Sequence, residues 1–449
     1  MESLFGTDGI RGKANKYPII PEVAVNVGRA AAAVLKTNTR SRIIIGKDGR
    51  LSGDMLESAL ASGICSAGAD VFLAGIIPTP AIAYLAAKNG ADAGIMVSAS
   101  HNPFEDNGIK LFNSQGYKPD KDTEKRIEKM VLGCDENFQP VPAADIGTVR
   151  AMPGAEDQYD AFLKAGLGRI KDLKGLRLVI DCSNGATSMI APRVFTELGA
   201  DVTVLADKPD GLNINEDCGS QHIETMQETV RKTGADLGLA FDGDGDRLIA
   251  VDENGDPVTG DHILAICAKH LKHAGLLKNN LVVSTVMSNL GLINALKQMQ
   301  IRHISTDVGD RHVLDEMRRN GAVLGGEDSG HMIFLDHHTS GDGIMTALRL
   351  LEAMQEAGEP LSSLRRIMAI YPHVLKNVRV KTKTDINRIP EVARAVKNAE
   401  NYLGEQGRVL VRYSGTQPLC RIMVEGPDPD ETRRLCQEIV DVVADAIGE

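Results

Sequence analysis

Tryptophan is absent from this 449-residue sequence and aromatics make up only 4% of it, which removes the row of rings on which nucleobases stack. Basic charge is in the minority too: 50 Lys and Arg stand against 61 Asp and Glu, a net charge of −11, and no basic run is long enough to track a phosphate backbone. Nucleic acid is therefore not an expected partner. No apolar stretch reaches the roughly 20 residues that span a bilayer. Runs such as Ile76 to Ala87 are interrupted by prolines, so no membrane association is expected. The opening residues, Met1-Glu-Ser-Leu-Phe-Gly-Thr-Asp8, lack the basic-then-apolar plan of a secretory signal, and a cytoplasmic location is expected. The seven cysteines are odd in number, scattered and never spaced Cys-x-x-Cys, which argues against a disulfide framework and against a zinc site.

What the sequence does contain is an alternation of apolar runs and amphipathic stretches, over a length that suggests three or more domains. Residues 42–46 read as a buried parallel strand. Met55, Leu56, Ala59, Leu60, Gly63 and Ile64 then share one helical face, and Gly68 can end that helix. A strand at 70–74, a helix near 80–88 and a strand at 93–98 follow, and the last ends in Ser98-Ala-Ser-His-Asn-Pro103. The order recurs from 176, with strands at 176–180, 201–205 and 236–241, ending in Asp242-Gly-Asp-Gly-Asp-Arg247. A third round, with strands at 281–286, 303–306 and 322–324, reaches Gly325-Gly-Glu-Asp-Ser-Gly-His331. Residues from about 371 onward predict a smaller α+β domain carrying Arg412-Tyr-Ser-Gly-Thr-Gln-Pro-Leu-Cys-Arg421. The fold class is α/β: three similar mixed α/β domains plus a smaller C-terminal α+β domain, at 1–150, 151–255, 256–370 and 371–449. Ligands collect at the carboxyl ends of strands in such sheets, so the three loops are expected to converge.

Asp242, Asp244 and Asp246 can turn oxygen ligands onto one hard cation, and Mg²⁺ suits them best. A solvated acidic turn is the plainer reading, but close carboxylates ordinarily need a cation to offset their repulsion. An EF-hand is excluded because its sixth position, a glycine there, is Arg247 here. Ser100 beside His101 does not make a hydrolase triad, since no Gly-x-Ser-x-Gly elbow is present and adjacent residues rarely align as nucleophile and base. A serine at a strand end is usually a turn residue. Facing an acidic metal loop, it can instead carry a phosphoryl group. Arg412 and Arg421 with Ser414, Gly415 and Thr416 outline a phosphate cradle, against the plainer reading of a surface turn. Glu327, Asp328, Ser329 and His331 offer groups suited to sugar hydroxyls; Arg11 lies in a glycine-flanked loop that could approach an anion, and Lys110 follows the serine loop closely enough to return to its mouth, against the plainer reading of a surface lysine.

Together and in this order, Phe5-Gly-Thr-Asp-Gly-Ile-Arg-Gly12, Ser-Ala-Ser-His-Asn-Pro, Asp-Gly-Asp-x-Asp-Arg, Gly-Glu-x-Ser-Gly-His and Arg-x-Ser-Gly-Thr resemble the α-D-phosphohexomutase superfamily, and the first motif resembles its glucosamine-phosphate branch. The resemblance covers the whole chain. It implies four domains around a central cleft, bearing in turn the phosphoserine, the metal, the sugar site and the phosphate site. It further implies a covalent phosphate on Ser100, one Mg²⁺ held by Ser100, Asp242, Asp244 and Asp246, and a hexose bisphosphate as intermediate or activator. His101, Lys110, Arg11, Arg247 and His331 are then expected near the reacting oxygens, with Lys110 and His331 as acid–base candidates. Glu327, Asp328 and Ser329 are expected on the sugar, and Arg412, Ser414, Gly415, Thr416 and Arg421 on the distal phosphate. The implied reaction interconverts glucosamine 6-phosphate and 1-phosphate, feeding UDP-N-acetylglucosamine synthesis, with a phosphoglucomutase or phosphomannomutase as the alternative. A non-catalytic sugar-phosphate sensor is the rival of another class, yet it would have no need to keep both Ser100 and all three aspartates. A homodimer is allowed for. Two departures from the family pattern stand out: Gln417 replaces a glutamate, and Asp328 replaces a glutamine where a carboxylate would favour an amino sugar.

Overall fold

The structure, a computed structural model, describes residues 4–6, 8–38, 40–133, 141–168, 172–414 and 418–449. These form two compact units, Met1–Met287 with Met299–Ile367, and Ser288–Gln298 with Met368–Glu449.

The first unit contains three sheets, each built on one plan. In the first, Ile43 and Ile45 are fully buried in the strand Arg42–Lys47, which pairs in parallel with Asp70–Ile76 on one side and Ala93–Val97 on the other. The chain then turns back, and Asp106–Asn113 pairs antiparallel with Ala93–Val97. Ile10–Lys13 adds one edge and Val149–Ala151 the other. Helices Pro21–Val34 and Gly53–Ser66 meet backbone to backbone, because a Cβ on Gly28 would strike Leu60 O and one on Gly63 would strike Val25 O.

The second sheet repeats the plan. Arg177–Asp181 lies in parallel between Asp201–Leu205 and Leu237–Phe241, and Leu248–Asp252 returns antiparallel with Pro257–Val258 beyond it. In the third, Leu281–Thr285 lies between Arg302–Thr306 and Leu324–Gly326, and Met332–Phe334 returns antiparallel. Each motif loop therefore occupies the same place, the turn from the last parallel strand into an antiparallel return strand. A turn at the carboxyl end of a strand exposes backbone and short side chains to a ligand, which is why three such turns can build one site.

The second unit is a three-stranded antiparallel sheet with Leu419–Glu425 at its centre, flanked by His373–Arg379 and Arg408–Tyr413. Helices Pro390–Leu403 and Pro429–Ile447 bury Val392, Leu403, Ile439 and Val443 against Ile422 and Val424. The helix Leu290–Gln298, which the sequence placed in the third domain, groups with this unit: Leu290 N donates to Glu425 Oε1 at 3.1 Å. Among the described residues no helix is long and apolar enough to cross a membrane.

Candidate active site

Ser100 follows the strand Ala93–Val97 and takes a left-handed backbone, φ +55°, a conformation that favours glycine. Its Oγ is buried and donates to Asp242 Oδ2 at 2.6 Å, with His101 Nδ1 3.4 Å away on the other side. Burial, with the guanidiniums of Arg247 and Arg11 adding to it, lowers His101 to about 4, so the imidazole is neutral near pH 7.

Asp242, Asp244 and Asp246 are all buried, and each can present an oxygen within 4.8 Å of the others. Asp244 Oδ1 and Asp246 Oδ1 have no hydrogen-bond partner, which is unusual for buried carboxylates and leaves both oxygens available to ligate a cation. Burial first, then the charges of Asp246 and Asp244, push Asp242 well above the usual carboxylate range. The donor set is all oxygen and fits a hard divalent cation. The loop is shaped for the approach: Thr79 N donates to Asp244 O at 2.9 Å, Ala186 N to Gly243 O at 2.8 Å and Gly343 N to Gly245 O at 2.9 Å, one contact from the surroundings of each of the three sheets.

Lys110 is one of the two acid–base candidates from the sequence. As a base it would need a lowered pKa, yet its fully buried Nζ lies 2.7 Å from Asp244 Oδ2, 3.2 Å from Asp246 Oδ2 and 3.0 Å from Asp8 Oδ2. Burial opposes its charge, but Asp244, Asp246 and Asp8 outweigh burial and hold it well above the ordinary lysine value. The ammonium is a donor and a fixed positive charge.

Arg247 stands over the same carboxylates, Nε 3.9 Å from Asp242 Oδ2 and 3.8 Å from Asp246 Oδ1, and its backbone bridges to His331. His331 Nε2 lies 4.0 Å from Asp246 Oδ2 and 3.8 Å from Asp310 Oδ2, while its buried Nδ1 has no partner. Glu327 accepts from Gly309 N at 3.1 Å and its charge reaches Arg247. Ser329 is half-buried in the same turn. Asp328 Oδ1 accepts from Asp261 N at 3.2 Å, in the first turn of the helix Gly260–His273. Arg11 donates to Ala99 O at 3.4 Å and pairs with Asp8.

In the second unit, Arg412 and Arg421 are direct cross-strand partners, and Arg421 Nε is buried without a hydrogen-bond partner. Like charges placed opposite each other ordinarily destabilise a sheet. Ser414 O accepts from Lys383 Nζ at 2.7 Å. Gly415 and Thr416 lie outside the described residues.

Four domain profiles of the phosphoglucomutase/phosphomannomutase family match the chain: α/β/α domain I at residues 2–137, domain II at 158–255, domain III at 259–371 and the C-terminal domain at 375–442. The chain belongs to this family. Among its relatives within the family, phosphoglucosamine mutase of Syntrophus aciditrophicus (strain SB) and that of Syntrophobacter fumaroxidans (strain DSM 10017 / MPOB) are each 54% identical over 449 residues, covering 100% of both chains. A phosphoglucomutase/phosphomannomutase family protein from Burkholderia thailandensis has a similar structure, with a TM-score of 0.81 at 25% identity over 99% of this chain and 98% of that one. The N-acetylphosphoglucosamine mutase of Aspergillus fumigatus, solved with GlcNAc-6P and magnesium, shares the fold at a TM-score of 0.70 and 18% identity, over 98% of this chain and 95% of its own.

Several residues of this family member's site escaped the sequence reading. Lys118 Nζ donates to Asp8 Oδ1 at 2.5 Å and also pairs with Asp310, so a chain of charges runs from Arg11 through Asp8 and Lys118 to Asp310 and His331. Thr79 Oγ1 donates to Asp244. Nothing in the local sequence marks Lys118, Asp310 or Thr79, and Asp8, although inside the first motif, had no role assigned to it; these residues are far apart in the chain and meet only by folding. A second metal-capable trio, His270, Glu352 and Glu356, lies on two helices away from these loops, but Arg349 already neutralises Glu352 at 2.6 Å.

Proposed function

We propose that this chain interconverts glucosamine 6-phosphate and glucosamine 1-phosphate by way of a phosphoserine at Ser100. The observation that carries the reading is the Ser100 hydroxyl 2.6 Å from Asp242 inside a buried three-aspartate cluster, in a chain 54% identical over its full length to phosphoglucosamine mutases.

Ser100, phosphorylated, donates its phosphoryl group to the free hydroxyl of the hexose monophosphate: the bond from phosphorus to Oγ breaks and the bond to the sugar oxygen forms. The hexose bisphosphate turns over, its other phosphoryl group returns to Oγ, and the isomeric monophosphate leaves. Asp242, Asp244, Asp246 and the Ser100 phosphate would hold one Mg²⁺, which when bound supplies positive charge beside the serine oxygen. Lys110, buried, and Arg247, half-buried, are both cationic and face the equatorial charge that grows during transfer. Protons move through the two histidines: His101, neutral, sits 3.4 Å from Oγ, and His331 carries the unpartnered Nδ1. Glu327 and Ser329 take sugar hydroxyls, and Arg412, Ser414, Gly415, Thr416 and Arg421 hold the phosphate that is not reacting. Asp328 serves first to start a helix. A cytoplasmic location and a homodimer belong to the same proposal.

Turnover of glucosamine, glucose and mannose 6-phosphates by the purified protein tests it. The expected order in kcat/KM places glucosamine first. A preference for glucose or mannose phosphate makes the protein a phosphoglucomutase or phosphomannomutase on the same machinery, and binding without turnover of any of them makes it a sensor.

A further inference from the structure

Arg50 is a fully buried arginine with no part in the metal cluster, and its guanidinium is spent on the serine loop. Nη2 donates to Ser100 O at 3.0 Å and Asn102 O at 2.8 Å; Nη1 donates to Asp106 O at 2.9 Å and to Pro103 O; Nε donates to Asp48 Oδ2 at 2.9 Å. All five N–H groups are used, four of them on main-chain carbonyls of one seven-residue stretch. Asp48 completes a circuit: Ser98 Oγ donates to it at 2.5 Å and accepts from Ser100 N at 2.9 Å. Ser100 is thus held at its carbonyl by Arg50 and at its amide by way of Asp48 and Ser98.

A second hand comes from the other side. Asn215, from the loop after Asp201–Leu205, donates through Nδ2 to Ser100 O and Asn102 O, both at 2.9 Å. Gly243, within the aspartate loop, must lack a side chain here, since a Cβ would lie 2.7 Å from Ser100 O and 2.8 Å from Asn215 Nδ2. A serine at φ +55° is strained and persists only where its surroundings enforce it.

We infer that Arg50 and Asn215 are positioning residues for phosphoryl transfer: together they clamp Ser100 in its left-handed backbone so that Oγ points at Asp242 and the incoming phosphoryl group. The inference rests on the phosphoserine reading. The step is the attack of Ser100 Oγ on a phosphorus of a hexose bisphosphate, in which the bond from phosphorus to the sugar oxygen breaks, the bond to Oγ forms, and the serine proton ends on the sugar oxygen.

The test is rapid-quench mixing of dephosphorylated full-length protein with glucose 1,6-bisphosphate and Mg²⁺, reading phosphate on Ser100 by intact mass and peptide mapping. Arg50→Lys keeps the charge and loses the five-pronged fork. Asn215→Gly keeps the left-handed backbone, φ +58° at this residue, and loses the amide. A misplacement of about 1 Å can slow transfer as much as a hundredfold. The expected result is a single-turnover rate constant lower by roughly ten- to a hundredfold in Arg50→Lys and by a few-fold to tenfold in Asn215→Gly, with the half-saturating bisphosphate concentration unchanged. A purely structural role predicts a smaller amplitude, from less folded protein, with the rate constant of the folded fraction unaltered; that outcome in both variants overturns the inference. If Arg50→Lys does not fold, Asn215→Gly decides alone. Wild-type protein that takes no phosphate on Ser100 refutes the phosphoserine reading itself, and the clamp with it.

Discussion

The Ser100 hydroxyl donates a 2.6 Å hydrogen bond to Asp242, a residue 142 positions later in the chain that follows a strand of a different sheet. No local signal links the two, and their contact turns an ordinary turn serine into a candidate phosphoryl carrier. Purified protein is expected to carry phosphate on Ser100 in part of its molecules, read by intact mass and peptide mapping. Ser100→Ala is expected to lose at least about a hundredfold in kcat even with trace bisphosphate supplied. Phosphate found only elsewhere, or full turnover in Ser100→Ala, contradicts this role.

Asp244 Oδ1 is buried and unpartnered while Oδ2 pairs with Lys110 at 2.7 Å, so Asp244→Asn removes a ligand charge with little change in shape. Mg²⁺ affinity is expected to fall by roughly ten- to a hundredfold and activity to fall with it, at an unchanged circular dichroism spectrum. Wild-type turnover in chelated, metal-free protein removes the metal from the mechanism.

Arg412 and Arg421 face each other across two strands of one sheet. Arg412→Lys keeps charge and loses the planar fork, so KM for the hexose phosphate should rise about tenfold with a milder loss in kcat. An unchanged KM takes Arg412 out of the site.

Asp328 accepts a hydrogen bond from Asp261 N in the first turn of a helix. Asp328→Asn is accordingly expected to lower stability by about 0.5–1 kcal/mol and to leave the preference among glucosamine, glucose and mannose phosphates within about threefold. A larger change in preference at unchanged stability makes this carboxylate the selector of the amino sugar.

His338 is buried and uses both ring nitrogens as a neutral imidazole: Nε2 contacts Pro80 O at 2.9 Å and Nδ1 accepts from Thr339 N at 2.7 Å. Burial lowers it to about 4 from an ordinary value of 6.5. The unfolded chain therefore binds the extra proton first, and stability present above about pH 6.5 is lost as the pH falls toward 4. Between pH 7 and pH 5 this one group contributes a loss of about 2 kcal/mol. Urea unfolding at the two pH values should show a smaller loss in His338→Asn, and an equal loss in both proteins contradicts the assignment.

The three strand–helix rounds were legible because buried parallel strands such as Arg42–Lys47 are continuous apolar runs and their helices keep a three- and four-residue apolar spacing. The motif loops were legible because they combine residue types, three aspartates or two arginines with hydroxyls, that seldom stand together without a ligand. The return strands Asp106–Asn113, Leu248–Asp252 and Met332–Phe334 were not, since each starts within or beside a polar motif and reads as part of it. Lys110 could be named from sequence as a site residue, but its charge state could not, because a buried ammonium is raised or lowered according to the carboxylates around it. Asp8, Asp244 and Asp246, from two distant segments, pull its pKa upward against the burial that would lower it. The sequence determined which chemistry is available by fixing the side chains and the turns that carry them. Only the tertiary structure decided which of those groups touch, because burial and through-space charge act between residues that the chain keeps more than a hundred positions apart.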